Sequence, residues 1–163
     1  IDPRTGRVPG AIEGESMVLL ERTGGDARSQ KMDAFPKDRW SGSEHLWWPG
    51  AKPGDKLVLQ LPVKEDGRYE LFAVLTRARD YGIVQLELDG KTLGPPLDLF
   101  NSPDVITTGV VSLGSHDLQQ GTHRLGVRLE GANPAAVPSH MFGLDYLYLA
   151  ARQPDTANTA DPN

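Results

Sequence analysis

Three carboxylates lie near the two ends of this chain: Glu13 and Glu15 near its start, and Asp145 near its end. Residues two apart on a β-strand place their side chains on the same face. If the first strand pairs with the last, Asp145 joins Glu13 and Glu15. Converging carboxylates repel one another, and a hard cation such as Ca²⁺ relieves that repulsion. The pattern predicts a structural calcium site; the alternative is that both glutamates face solvent from an edge strand.

An aromatic segment at residues 35–50 contains all three tryptophans, Trp40, Trp47 and Trp48, among glycine, proline and charged residues. An exposed indole ring can stack on the apolar face of a sugar, while a flanking polar group such as His45 bonds the hydroxyls. The alternative is burial, because adjacent residues on a strand point to opposite faces and at least one of Trp47 and Trp48 then lies in the core. We interpret Trp40, His45, Trp47 and Trp48 as candidate glycan contacts.

A second polar segment, Arg79, Asp80 and Tyr81, lies between two patterns that are typical of strands. It combines an aromatic surface, a carboxylate acceptor and guanidinium donors in one connection. The alternative is a solvated hairpin loop with an Arg–Asp ion pair, since loop polarity alone is only a correlation. These three residues complete the predicted carbohydrate-binding set.

Catalytic motifs are weak in this sequence. Ser115, His116 and Asp117 have the residue types of a catalytic triad, but neighbours in sequence cannot adopt its geometry. The four histidines lack the HExxH zinc spacing, and no glycine-rich loop precedes a helix. Glycosidase carboxylates can be far apart in a sequence, so Asp80, Asp98 and Asp117 are the acids to test. We predict that the chain is not an enzyme.

Charge and composition exclude several classes of partner. The 17 basic and 22 acidic residues are mixed along the chain, and the net charge is −5. Without a basic stripe, nucleic acid is not an expected partner. No apolar run approaches the roughly 20 residues of a bilayer-spanning helix, so membrane insertion is not expected either. The absence of cysteine excludes disulfides and cysteine-based zinc sites.

Strand patterns cover most of the chain. Apolar and polar residues alternate in residues 56–61, 83–89 and 122–130, whereas residues 69–76 are apolar on both faces. Turn signals rich in glycine and proline separate these segments, and no run of ten or more residues has a helical pattern. Residues 23–54 and 132–141 are expected to be irregular loops. The pattern predicts an all-β fold, a jelly-roll β-sandwich of eight or nine antiparallel strands.

One domain is expected from this length. Residues 1–10 are polar and broken by proline and glycine, so we expect a disordered lead or a cloning remnant. Residues 11–151 carry the β-sandwich. Residues 152–163 have the composition of a linker or tail, which predicts covalent linkage to other domains in a longer protein.

The order of several short segments resembles a known family. The acidic pair is followed by residues 54–57, 67–71, 85–91, 121–125 and 143–147. Over about residues 11–150 this order resembles the galactose-binding-like β-sandwiches of carbohydrate-binding module families six and thirty-five. The resemblance implies a jelly roll without catalysis and a structural calcium bound by Glu13, Glu15 and Asp145. It also implies that sugar binds to loop aromatics at the sandwich edge, or on the concave face of one sheet.

The chain departs from the family pattern in one loop. Those families often carry an aromatic residue before the last strand, where residues 138–141 here read Pro-Ser-His-Met. This moves the predicted glycan site to the tryptophan segment and the Arg79–Tyr81 connection. We predict a non-catalytic carbohydrate-binding module of a larger exported bacterial protein, extracellular or periplasmic, that binds polysaccharide or glycan. The alternative is a structural or protein-interaction β-sandwich without a glycan site.

Overall fold

The computed structural model describes residues 1–152 of the 163-residue chain. Two one-turn 3-10 helices, Gly14–Ser16 and Ser41–Ser43, interrupt a fold built from strands. The described residues form eleven strands: β1 Ile12–Glu13, β2 Leu19–Arg22, β3 Arg28–Lys31, β4 Glu44–Trp48, β5 Lys56–Val63, β6 Gly67–Arg77, β7 Ile83–Leu88, β8 Lys91–Asp98, β9 Ile106–Leu118, β10 Gly121–Gly131 and β11 Phe142–Ala151.

The strands form two antiparallel sheets packed as a β-sandwich. One sheet has the order β3-β4-β11-β6-β9, with β1 also paired to β11; the other has the order β2-β5-β10-β7-β8. The predicted all-β sandwich is confirmed. Eleven strands replace the predicted eight or nine, because β3 and β4 lie in the segment that was expected to be irregular and β1 is only two residues long.

The core lies between the two sheets and follows the alternation in the sequence. Leu57, Leu59 and Leu61 of β5 are almost fully buried, as the pattern predicts for one face of a strand. The same face of the sheet continues on β10 and β7, while β6 and β11 supply the opposing layer. Its buried residues include Leu71, Ala73, Leu75, Phe142, Leu144 and Leu147.

The terminal strands meet as expected, but the acidic pair does not lie on a continuous strand. Glu13 pairs with Tyr146 in antiparallel register. The chain then turns into the 3-10 helix Gly14–Ser16, so the same-face argument for Glu15 was wrong. Gly14 sits tightly at this turn, since a Cβ there would lie 2.3 Å from the carbonyl oxygen of Leu144.

The first ten residues contact the sandwich, contrary to the expected disordered lead. The Gly42 N–H donates to the Gly6 carbonyl at 2.6 Å, and the Val8 N–H donates to the Ser41 hydroxyl at 2.9 Å. Most of the predicted tail, residues 153–163, lies outside the described residues. Within residues 1–152, no helix is long and apolar enough to cross a membrane.

Three connections are joined by backbone hydrogen bonds at one end of the sandwich. These are the β6–β7, β8–β9 and β10–β11 connections. The Val137 N–H donates to the Arg79 carbonyl at 2.8 Å, and the Met141 N–H donates to the Asp80 carbonyl at 3.1 Å. The Asn101 N–H donates to the Ala78 carbonyl at 3.2 Å. The polar β6–β7 connection is therefore held between its two neighbours.

Candidate functional site

A cavity of about 240 Å³ opens at this end of the sandwich, and we refer to it as the end cavity. It brings part of the tryptophan segment together with the β6–β7 connection, which are more than thirty residues apart in the sequence. Its lining combines aromatic, apolar and charged side chains, which is typical of sites that bind small polar ligands. The lining residues are Gln30, Met32, Phe35, Trp47, Ala78, Arg79, Asp80, Tyr81, Pro103, Val105 and Met141.

Trp47 is the tryptophan that remains partly exposed in the end cavity. It lies on β4 and pairs with Arg28 of the edge strand β3. The Arg28 guanidinium packs on the indole ring, with its carbon 4.8 Å from the ring centroid, a cation–π contact. Arg28 therefore lies over the ring, which also packs against the hydrophobic core, and the part that stays exposed borders the cavity.

Arg79 and Asp80 bring opposite charges to the cavity wall. Arg79 is exposed and Asp80 is half-buried. Among residues 1–152, neither side chain forms an ion pair. This differs from the hairpin-loop alternative, in which the two neutralise each other. The guanidinium can donate and the carboxylate can accept hydrogen bonds from the hydroxyls of a ligand.

Tyr81 contributes packing rather than a free ring face. It is 4 % exposed and belongs to the hydrophobic core, although it lines the cavity floor. Burial, with a smaller contribution from the Asp80 carboxylate, raises the pKa of the Tyr81 phenol above its usual range. The sequence-based prediction that this ring is a stacking platform is therefore wrong.

The structure also corrects the prediction for three residues of the tryptophan segment. Trp40, His45 and Trp48 are 3 %, 0 % and 0 % exposed and do not line the cavity. The Trp48 indole N–H donates to the Gly24 carbonyl at 2.9 Å, and its ring packs edge-on against Phe142. These side chains are core residues, as the burial alternative anticipated for at least one tryptophan.

Several lining residues were not among the predicted contacts. Gln30 lies on β3 directly opposite His45, and Phe35 lies in the loop that follows β3. Met141 is the last residue of the connection that precedes β11. Periodicity in the sequence could not identify these residues, because their proximity depends on the pairing of β3 with β4 and on the loops beside them.

The three predicted metal ligands lie at a second location, where β1, β11 and the 3-10 helix at Ser41 meet. Glu13 and Asp145 are 8 % and 1 % exposed, and Glu15 is half-buried. The Ser41 hydroxyl donates to Glu13 Oε2 at 2.7 Å. The Ser41 N–H donates to both Asp145 oxygens, at 3.1 and 3.2 Å.

These carboxylates are incompletely neutralised. Glu13 Oε1 and Glu15 Oε1 are buried and have no hydrogen-bond partner within the described chain. Burial, together with the neighbouring carboxylates, raises the pKa of Glu15 to about 7 and that of Asp145 to about 8. As positioned, no three acidic or histidine side chains of residues 1–152 form a metal-binding group. The two unpartnered oxygens nevertheless fit a cation, because carboxylate oxygens are the ligands that hard cations such as Ca²⁺ take.

Comparison with known proteins shows the fold. No protein-family model and no curated relative matches this chain. The structure of a Paenibacillus xanthan lyase matches with a TM-score of 0.75 at 19 % identity, over 92 % of this chain and 14 % of that one. This chain therefore spans only a small part of the lyase.

Two isolated domains match over nearly their whole length. One is the CBM36-1 domain of a multidomain xylanase from the hindgut metagenome of Trinervitermes trinervoides, with a TM-score of 0.51, 12 % identity, and coverage of 88 % of this chain and 98 % of that one. The other is the C-terminal CBM6 of LamC, a marine laminarinase from Zobellia galactanivorans. It matches with a TM-score of 0.50 at 15 % identity, over 86 % of this chain and 97 % of that one. The chain thus has the galactose-binding-like β-sandwich fold of carbohydrate-binding modules, which confirms the fold expected from the sequence.

Proposed function

We propose that this chain, which has the fold of carbohydrate-binding modules, binds glycan in the end cavity without catalysing a reaction. The observation that carries the proposal is the meeting of Trp47 with Arg79 and Asp80 around one cavity. The free part of the Trp47 ring supplies an apolar surface for the C–H face of a sugar. Arg79 and Asp80 supply a donor and an acceptor for its hydroxyls.

The proposed module acts by binding alone. Trp47 lies on a strand whose register is fixed by pairing on both sides, and the Arg79–Asp80 connection is held by hydrogen bonds from the β10–β11 loop. A preformed cavity keeps the ordering cost of binding low. The cavity offers only part of one aromatic ring and a few polar groups, so we expect it to bind glycan weakly.

We further propose a calcium ion with a structural role at Glu13, Glu15 and Asp145. The fit rests on the two buried oxygens without partners and on the raised pKa values of Glu15 and Asp145. A bound cation supplies positive charge that stabilises the three carboxylates in their ionised form. Ser41 orients two of them through its hydroxyl and its backbone N–H. The ion would hold β1 to β11 and would not contact the glycan.

The proposed setting is a larger exported bacterial protein, outside the cell or in the periplasm. The support is that the fold matches one part of a xanthan lyase and two modules from glycan-degrading enzymes. Proteins encounter polysaccharides such as xanthan, xylan and laminarin outside the cytoplasm. A module of this kind holds its parent protein near the polysaccharide.

The test is a binding screen on the purified chain with oligosaccharides of xanthan, xylan and laminarin, supplemented by a glycan array. We expect at least one saccharide to bind measurably in titration calorimetry. Trp47→Ala should abolish that binding, whereas Phe72→Ala, which removes another half-buried aromatic ring outside the cavity, should leave it intact. No binding to any glycan would contradict the proposal.

A further inference from the structure

A chain of hydrogen bonds runs through the core to the wall of the end cavity. The Trp40 indole N–H donates to Thr76 Oγ1 at 2.9 Å. Thr76 Oγ1 lies 2.8 Å from His45 Nδ1, and His45 Nε2 lies 2.7 Å from Gln30 Oε1. The first three residues are at most 3 % exposed, whereas Gln30 is half-buried and lines the cavity.

The direction of each bond follows from counting protons. The Trp40 indole can only donate, so Thr76 Oγ1 is an acceptor in that bond. The Thr76 hydroxyl then has one proton to donate, and its partner in the described structure is His45 Nδ1. A neutral imidazole that accepts at Nδ1 carries its proton on Nε2. His45 Nε2–H therefore donates to the side-chain carbonyl of Gln30.

The opposite tautomer leaves a buried group without a partner. If His45 Nδ1 carried the proton, Thr76 Oγ1 would accept twice and its own proton would have no acceptor. Thr76 is 0 % exposed, so water does not reach the hydroxyl, and a buried donor without a partner is costly. Burial also lowers the pKa of His45 to about 3, which excludes the doubly protonated ring at neutral pH.

The position of the imidazole is fixed by Gly143 of β11. A Cβ on this residue would lie 2.5 Å from His45 Cε1 and 2.6 Å from His45 Nδ1. The ring therefore packs directly on the glycine backbone, with no free space on that side. His45 also pairs directly with Gln30 across strands β4 and β3. Both ends of the His45–Gln30 bond are thus set by strand register.

We propose that this buried chain fixes the Gln30 amide with its carbonyl toward His45 and its NH₂ group toward the end cavity, so that Gln30 is a specificity-determining residue. The Gln30 NH₂ group requires an oxygen on the ligand that can only accept: a ring or glycosidic oxygen, or a carboxylate. His45 is a positioning residue that acts through Gln30. This inference rests on the proposed function, because it defines the polarity of the same cavity.

The first test exchanges the donor for an acceptor. Gln30→Glu has nearly the same shape and can still accept the bond from His45 Nε2–H, but it presents a carboxylate oxygen to the ligand. We expect about tenfold weaker binding of the panel oligosaccharide that the wild-type chain binds best, which is the loss of one hydrogen bond. Gln120→Glu adds the same charge at the opposite end of the sandwich and should bind like wild type. Equal or tighter binding by Gln30→Glu would overturn the inference.

The second test reads the tautomer directly. Nitrogen NMR of the imidazole should show His45 protonated at Nε2 and unprotonated at Nδ1 near neutral pH. A ring protonated at Nδ1 would overturn the inference, whatever the binding data show. Thr76→Val should weaken glycan binding by removing the hydroxyl, and Thr76→Ser should restore it. If Thr76→Ser binds as weakly as Thr76→Val, the hydroxyl does not act on Gln30 and the proposal fails.

These measurements separate two kinds of failure. If the wild-type chain binds none of the xanthan, xylan or laminarin oligosaccharides or the array glycans, the proposed function itself fails. If the wild-type chain binds and Gln30→Glu binds equally well, only the role of Gln30 fails. A melting temperature measured for each variant distinguishes a lost contact from a lost fold.

Discussion

The Ser41 hydroxyl donates a 2.7 Å hydrogen bond to Glu13 Oε2, joining two residues that are 28 positions apart in the sequence. The same hydroxyl oxygen accepts the Val8 N–H, and the Ser41 N–H donates to Asp145. Ser41 thus connects the first residues, strand β1 and strand β11. At this junction Glu13 and the neighbouring Glu15 each keep one buried oxygen without a partner among the described residues, so we expect its stability to depend on cations and on pH.

Removal of calcium should destabilise the chain. We expect a chelator to lower the melting temperature by several degrees, because Glu13, Glu15 and Asp145 then repel one another without a compensating charge. The measurement is thermal unfolding in calcium and in chelator. Glu13→Gln should greatly reduce the difference between the two curves.

The control for this prediction is Glu65→Gln, which neutralises an exposed glutamate outside the cluster. It should keep the full response to chelator. Identical melting curves for the wild-type chain in calcium and in chelator would count against the calcium site.

In chelator, stability should fall as pH rises from about 4 to about 8. The pKa values of Glu15 and Asp145 are raised in the folded chain, to about 7 and about 8, so the folded state binds protons more tightly than the unfolded state. That contribution is complete below the ordinary carboxyl pKa and is lost as pH passes the folded values. Melting temperatures across this range provide the test.

Asp145→Asn should flatten this pH dependence, because the amide can still accept from the Ser41 N–H but does not ionise. Asp117→Asn changes a carboxylate whose side chain is 82 % exposed and should leave the dependence unchanged. If the melting temperature of Asp145→Asn depends on pH as steeply as that of wild type, then Glu13, Glu15 and Asp145 are not the source of the pH dependence.

The fold could be predicted from the sequence because the patterns that indicate strands and turns are local. Alternation on β5, β7 and β10 identified which leucines and valines face the core, and glycine and proline marked the turns. Strands β3 and β4 were missed, because they lie in the segment that was expected to be irregular and the four polar residues of β3 give no periodic pattern. The pairing of β1 with β11 was inferred correctly from the acidic residues at both ends.

The site could be predicted only in part from the sequence, because tertiary packing decides which aromatic rings are buried. Trp47 and Trp48 are adjacent, and the sequence indicated that they diverge but not which one is exposed. The structure buries Trp48 under Phe142 and leaves Trp47 beside Arg28. The role of Gln30 depends on the register between β3 and β4, for which a polar edge strand gives no sequence signal.

Gly143→Ala should be strongly destabilising. A Cβ at this position would lie 2.5 Å from His45 Cε1 and 3.0 Å from Thr76 Cβ, in a part of the core without free space. Overpacking of this kind costs about 1–3 kcal/mol. Gly131→Ala is the matched control, because a Cβ there has no neighbour within 4 Å. Denaturant unfolding should show a large loss for the first variant and little for the second; similar curves would contradict the packing described here.

Arg79→Ala and Asp80→Asn should weaken glycan binding without changing stability. Both side chains line the end cavity and are free of ion pairs within residues 1–152, so their removal leaves no buried charge unpaired. A loss of about 1 kcal/mol of binding free energy is expected for each, equal to one hydrogen bond. Arg77→Ala, a neighbouring exposed arginine outside the cavity, should bind like wild type. Calorimetry compares the four proteins, and unchanged affinity in both cavity variants would exclude these contacts.

The most direct test of the central proposal follows the three indole N–H signals by NMR during titration with the oligosaccharide that binds best. Two of these groups are engaged inside the protein, at Trp40 with Thr76 and at Trp48 with Gly24. If glycan occupies the end cavity, the Trp47 signal shifts most and the other two move little. Saturable glycan binding that leaves the Trp47 signal unchanged would contradict the proposed site.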